Sequence, residues 1–211
     1  MTPILIVDDH PIVRQGLRQI LAEEWPEATF GEARNGIEAL ALAEKDAWDV
    51  VLLDITMPGR NGLDVLKELR QTRPRLPVLV LSVHCEDEFG LRALRAGAAG
   101  YMTKETAAQE LVQAVRKVLA GGRYISPSLA EKLAAEFQAE PGRSPHALLS
   151  DREFQVLGLL AAGKAVKEIA FELSRSVKTI STHRARVLRK MNMKSTADLI
   201  RYGIQHHLDG E

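Results

Sequence analysis

Three continuous apolar runs of strand length constrain this chain most: Ile4-Leu5-Ile6-Val7, Val50-Val51-Leu52-Leu53 and Val78-Leu79-Val80-Leu81. A strand without polar alternation needs cover on both faces, the condition of a parallel sheet between helices. Amphipathic stretches separate the runs, with Ile12, Leu17, Ile20 and Leu21 on one, Ala39, Leu40 and Ala43 on the next, and Leu63, Leu66 and Leu69 on a third. Leu111, Val115, Val118 and Leu119 repeat at helical spacing further on, and Thr29-Phe30 and Ala99-Gly100-Tyr101-Met102 supply two weaker strands. This five-fold alternation predicts a doubly wound α/β domain over residues 1–120.

Gly121-Gly122 closes the last helix of that domain. Residues 121–147 read as a linker holding a short helix from Ser128 to Phe137, with Ser128 suited to cap it, followed by the turn-rich Pro141-Gly142-Arg143-Ser144-Pro145. From 148 to 211 the pattern is helical only, over 151–162, 166–173, 177–191 and 195–207, which predicts a second, smaller all-α domain.

Charge divides along the same line. Residues 1–120 carry 14 basic and 18 acidic side chains, whereas residues 149–211 carry 11 basic and 7 acidic. An acidic half joined to a basic half points to two activities, one of them at nucleic acid. No apolar run is long enough to span a membrane, the N-terminus does not read as a signal peptide, and the single cysteine, Cys85, excludes an intrachain disulfide. The cytoplasm is the expected compartment.

In an open parallel sheet, function gathers at the carboxyl ends of the strands. Here those ends carry Asp8, Asp9, Asp54, Ser82 and Lys104. Taken singly, each carboxylate could simply end a strand and cap the next helix, and Pro11 after Asp8-Asp9 suits a helix start. Together, three crowded carboxylates call for a cation, and Mg2+, a hard ion preferring oxygen, fits. One carboxylate can then act as nucleophile toward a phosphoryl group, with lysine and serine holding its oxygens.

Val7-Asp8-Asp9-His10-Pro11, Leu53-Asp54-Ile55-Thr56-Met57-Pro58-Gly59, Leu81-Ser82-Val83 and Gly100-Tyr101-Met102-Thr103-Lys104 resemble the receiver motifs of two-component response regulators. The resemblance implies a flavodoxin-like receiver in which Asp54 accepts phosphate from a sensor histidine kinase. It implies Mg2+ bound by Asp8, Asp9, Asp54 and the Thr56 carbonyl, phosphoryl contacts from Ser82 and Lys104, and a switch role for Tyr101, which read alone would be an edge aromatic. His84, two residues after Ser82, and Thr56 are expected to overhang the phosphoryl group, although His84 reads equally well as a solvated loop residue.

The C-terminal segment opens with Ser150-Asp151-Arg152-Glu153, a capping-box signature, and two of its helices are separated by Ser174-Arg175-Ser176. On the second of these, Val177, Ile180, Val187, Leu188 and Met191 share one arc, and Lys178, Ser181, Thr182, Ala185 and Arg189 line the other side. From Arg175 to Lys194 there are seven basic residues and no acidic one, so intrahelical pairing cannot satisfy them, and phosphates become the expected partners.

Ser150-Asp151-Arg152-Glu153, Lys167-Glu168-Ile169-Ala170 and Val177-Lys178-Thr179-Ile180-Ser181-Thr182-His183-Arg184 resemble the LuxR-type helix-turn-helix of NarL/FixJ regulators. That resemblance places Ser181, Thr182 and Ala185 at base-reading positions and Lys178, Thr179, Arg186, Arg189 and Lys190 toward DNA phosphates. Arg184 falls inside the apolar arc and is expected to pair with a carboxylate such as Glu153. Ala165 and Val166 make a weak start for the preceding helix, and Ser174 stands where the turn often has glycine.

The expected protein is therefore a phosphorylated, sequence-specific DNA-binding transcriptional regulator, a homodimer when phosphorylated, with RNA polymerase a candidate further partner. It is not expected to be an enzyme, since an aspartyl phosphatase of the haloacid dehalogenase type needs a second carboxylate where Thr56 stands. A receiver acting only as an unphosphorylated adaptor is disfavoured by the complete acceptor set.

Overall fold

A computed structural model describes residues 2–83, 86–138, 145–206 and 208. His84, Cys85 and Pro141–Ser144 lie outside the described residues, and with them the gating role expected of His84. The chain divides into two compact units, Met1–Ala130 and Glu131–Glu211.

The first unit alternates β1 (Pro3–Val7), α1 (Pro11–Glu24), β2 (Thr29–Ala33), α2 (Gly36–Lys45), β3 (Val50–Asp54), α3 (Gly62–Thr72), β4 (Val78–Ser82), α4 (Glu86–Arg95), β5 (Gly100–Thr103) and α5 (Lys104–Leu119). All pairings are parallel, in the order β2-β1-β3-β4-β5, the doubly wound architecture expected from the sequence. The three apolar runs became the three central strands, whose residues are buried on both faces. β2 is half-exposed and longer than Thr29-Phe30, because an edge strand can mix glycine and glutamate into its sequence. One face of the sheet is covered by α1 and α5, where Leu17, Leu21, Leu111 and Val115 pack on Ile4, Ile6 and Leu52.

α6 (Pro127–Gln138) starts one residue earlier than the expected helix and is capped by Ser126, whose Oγ accepts from Leu129 N at 3.1 Å. Ser128 is not the cap, because Pro127 fits the first helical position and moves the start upstream. The first compact unit also runs on to Ala130, past the boundary expected at 120, since Tyr124 and Leu129 pack back onto it.

Beyond the rest of α6, the described residues of the second unit form a 3-10 turn at Pro145–Leu148, then α7 (Asp151–Ala161), α8 (Val166–Glu172), α9 (Val177–Lys190) and α10 (Thr196–Gln205). Its core gathers Phe154, Leu157, Ile169, Leu173, Ile180, Val187 and Leu199. On α10 and just beyond it, Leu199 and Leu208 are buried in the core while Ile204 is 52% exposed. The buried ring of His146 touches Phe154, Tyr202 and His206, and its Nδ1 lies 2.6 Å from the Tyr202 hydroxyl. Among the described residues no helix is long and apolar enough to cross a membrane.

Candidate functional site

β1, β3 and the β5–α5 junction bring four of the expected residues together. Lys104 Nζ lies 2.8 Å from Asp54 Oδ2 and 2.6 Å from Asp8 Oδ2. The other Asp54 oxygen accepts from Thr56 N at 2.9 Å. Asp8 and Asp54 are each 1% exposed, so two buried carboxylates share one ammonium. Burial is the largest influence on Asp54 and pushes its pKa up to about 7; Lys104 works against it, Asp8 adds to it, and the Thr56 N–H opposes it. Lys104 is held above its ordinary value: burial opposes its charge, but Asp54 and Asp8 outweigh burial.

Ligand atoms of Asp8, Asp9, His10 and Asp54 all lie within 4.8 Å of one another. Three carboxylates facing one lysine leave negative charge uncompensated, and their hard oxygens fit a divalent cation such as Mg2+. Thr56, whose carbonyl is the remaining expected ligand, follows directly in the β3–α3 loop. Its hydroxyl is buried without a hydrogen-bond partner among the described residues. Ser82 is fully buried at the end of β4, in register with Thr103, one residue before Lys104. Tyr101 is also fully buried, its ring inside rather than at the edge.

Two further side chains, Arg14 and His10, shape the site. Arg14 Nη1 donates to the Asp8 carbonyl at 2.7 Å and holds the end of β1. His10 donates its backbone N–H to Asp8 Oδ1 at 2.8 Å, and its ring Nδ1 lies 3.0 Å from Asp9 Oδ1. An arginine one turn into a helix carries no motif, whereas the histidine directly after the aspartate pair was visible but unassigned.

The second surface is α9. Ser176 Oγ accepts from Thr179 N at 3.0 Å and sets the helix start, and Ser174 takes a left-handed φ of 48° in the turn before it. Ala165 supplies no side-chain cap to α8, and Glu168 compensates in part by accepting from Ala165 N at 2.7 Å. Lys178, Thr182, Ala185, Arg186 and Arg189 are exposed along α9, with Thr179 and Ser181 half-buried beside them. The Thr182 hydroxyl donates to the Lys178 carbonyl at 2.9 Å. Val177, expected in the apolar arc, is 46% exposed because the first turn overhangs the core.

Lys190, expected to face phosphate, is exposed and also ion-paired within its own unit. Its Nζ lies 2.6 Å from Glu153 Oε2 and 3.3 Å from the Leu148 carbonyl, so an internal carboxylate has captured it. The partner expected for Arg184 is thereby taken by Lys190, which extends from the last turn of α9 toward the first turn of α7.

Comparison with known proteins matches both units. The response regulator receiver domain family matches residues 4–116, and the family of bacterial regulatory proteins of the luxR type matches residues 147–203. The chain is 41% identical to the response regulator GacA of Pseudomonas aeruginosa, over 98% of this chain and 97% of that protein. It is 37% identical to the response regulator UvrY of Escherichia coli, over 99% of this chain and 96% of that one. A structure of RcsB from Salmonella enterica serovar Typhimurium, bound to a promoter in the presence of the phosphomimetic BeF3−, is 27% identical and superposes with a TM-score of 0.59, covering 95% of this chain and 97% of that one.

Proposed function

Because the chain belongs to the response regulators that join a receiver domain to a LuxR-family DNA-binding domain, we propose that Asp54 is its phosphoryl acceptor and that phosphorylation controls how α9 meets duplex DNA. The observation that carries this reading is the Asp54 carboxylate, buried and oriented by Lys104 and the Thr56 N–H, with Asp8 and Asp9 within metal-binding reach. In the cytoplasm, a phosphohistidine of a sensor kinase supplies the group. An Asp54 oxygen bonds to phosphorus as the N–P bond breaks, and the imidazole leaves with the electron pair.

Asp8, Asp9, Asp54 and the Thr56 carbonyl would hold Mg2+, which would neutralise charge on the phosphoryl group. Lys104, already at the carboxylate, holds a phosphoryl oxygen, and the buried Ser82 hydroxyl at the neighbouring strand end reaches another. As Ser82 moves, Tyr101 follows, giving a two-state element biased by local charge. The chain's role is regulatory rather than enzymatic.

On α9, Ser181, Thr182 and Ala185 read bases in the major groove, hydroxyls by hydrogen bonding and the methyl by packing on thymine. Lys178, Thr179, Arg186 and Arg189 contact phosphates. A homodimer places two such helices on half-sites about one helical turn apart. That RcsB was captured on a promoter with a phosphomimetic supports the same order of events here.

The test pairs mass spectrometry with DNA binding. A duplex selected from a random pool by protein treated with acetyl phosphate and Mg2+ is titrated with treated and untreated protein. An acid-labile phosphoryl adduct at Asp54, and tighter binding that Asp54→Asn abolishes, are expected. Wild-type affinity of the treated Asp54→Asn protein would show that phosphorylation is not the control.

A further inference from the structure

The chain after α5 does not leave the first unit at once. Gly121, at a φ of 80°, turns it back, and Tyr124 forms a parallel bridge with Gly100 on β5. Tyr124 N donates to the Ala99 carbonyl at 2.9 Å, and its own carbonyl accepts from Tyr101 N at 3.3 Å. Since β5 is the outer strand of the sheet, this short strap occupies the edge at which another chain could otherwise pair.

Two glycines make room for the strap. A Cβ added at Gly100 would lie 2.6 Å from the Tyr124 carbonyl oxygen, and one added at Gly90, in α4, would lie 2.8 Å from a Leu129 methyl. Leu129 is fully buried. The Tyr124 hydroxyl hydrogen-bonds to Glu110 of α5. Residues 124–129 are thus fastened at three points, to the backbone of Tyr101, to α5 and to α4.

These anchors coincide with the moving parts of the proposed switch. Tyr101 itself donates to the strap, and α4 follows β4 and its Ser82. The strap runs directly into α6, which starts at Pro127 and passes the end of the first unit at Ala130. Packed interfaces of this kind shift between discrete arrangements rather than bending continuously.

We propose that Tyr124 and Leu129 are positioning residues through which the state of Asp54 reaches α6 and the DNA-binding unit. The inference rests on phosphorylation control as proposed above. Its physical content is that displacement of Tyr101 or α4 breaks or re-forms the Tyr124 bridge and the Leu129 contact, and so changes how the first turn of α6 is held.

The test uses the full chain, with a duplex selected from a random pool by the phosphorylated wild-type protein. Hydrogen exchange across residues 121–130 should change when acetyl phosphate and Mg2+ are added, and should not change in Asp54→Asn. Leu129→Ala and Gly90→Ala disturb one contact from opposite sides. Both should keep Asp54 phosphorylation and unphosphorylated DNA affinity, yet reduce the phosphorylation-dependent gain in affinity by about fivefold or more. Leu129→Met, which refills the site, should restore the gain, as a variant that merely unfolded the receiver would not allow. Unchanged exchange in the strap, or a wild-type gain in both Leu129→Ala and Gly90→Ala, overturns the inference while leaving phosphorylation control intact. A wild-type protein whose DNA affinity ignores the phosphodonor overturns the underlying reading instead.

Discussion

Lys190 Nζ, at the end of α9, stands 2.6 Å from Glu153 Oε2, at the start of α7, and so pins α9 to α7. Glu153 also closes a capping box, accepting from Ser150 N at 2.9 Å while Ser150 Oγ accepts from Glu153 N at 3.4 Å. One carboxylate therefore sets both the start of α7 and the seat of α9. Burial opposes its ionisation, but the Lys190 ammonium and the two Ser150 contacts together hold its pKa below the usual carboxylate range.

Glu153→Gln should accordingly cost about 1 kcal/mol at neutral pH, an amount reduced by the solvent that reaches Lys190. The folded-state pKa is depressed, so the stability that ionised Glu153 contributes is fully present above its unfolded-state value and lost as pH falls through the folded one. Urea midpoints of wild type and Glu153→Gln should differ at pH 7 and converge under acid conditions below the usual carboxylate range. A gap that persists at pH 3 would mean that packing, not charge, explains the loss.

The same pair offers a way to separate structural cations from those proposed to face DNA. Arg189 and Lys190 are both exposed on α9, but Lys190 is also ion-paired to Glu153. Replacing a residue that neutralises one phosphate lowers the slope of log affinity against log salt by about 0.9. Arg189→Gln should show that reduction, and Lys190→Gln should leave the slope near wild type while lowering the unfolding midpoint. Equal slopes in the two variants would put both side chains, or neither, at the phosphates.

Asp54 gives the opposite pH behaviour. Its pKa in the folded chain is raised to about 7 from 3.8, so ionising it costs stability as pH climbs between those values. In chelator, Asp54→Asn should be more stable than wild type at pH 8 by about 2 kcal/mol or more, one pKa unit being about 1.4 kcal/mol. The difference should fade as pH falls below 3.8, where the acid becomes neutral in both folded and unfolded chains. Added Mg2+ should narrow it by stabilising wild type preferentially. Denaturant titrations across pH, with and without the ion, would expose an opposite trend.

Much of the first unit was legible because its central strands have no polar alternation, and each ends on a residue with chemistry to do. Asp54, Lys104 and Asp8 could be placed at one sheet edge from strand ends alone. What remained hidden depended on which side chains meet across the fold. Lys190 looked like its neighbours Arg186 and Arg189, since helical spacing shows which way a residue points but not whether a carboxylate from another helix reaches it. The domain boundary shifted for a similar reason. Gly121-Gly122 marks the end of α5 correctly, but a glycine pair does not reveal that Tyr124 will return to bridge β5. Gly90 and Gly100 were equally silent, being small for the sake of distant neighbours.

Gly62 carries that lesson into the acceptor site. It opens α3 behind the buried Asn61, whose Oδ1 accepts from Leu63 N at 2.9 Å. A Cβ at Gly62 would lie 2.2 Å from the Asp54 carbonyl oxygen and 2.6 Å from Ile55 Cα, contacts that no side-chain rotation can relieve. The backbone carrying the acceptor must therefore move. Gly62→Ala should cost about 3 kcal/mol, at the upper end of overpacking penalties, and should also slow phosphorylation by acetyl phosphate, because Asp54 shifts relative to Lys104. Gly16→Ala is the control: a Cβ there meets nothing within 4 Å in the body of α1, so helix propensity alone should stabilise it by about 0.5–1 kcal/mol. Urea unfolding together with the rate of Asp54 phosphorylation checks both. If Gly62→Ala matched Gly16→Ala in stability and wild type in rate, close backbone packing behind Asp54 would not be what holds the acceptor in place.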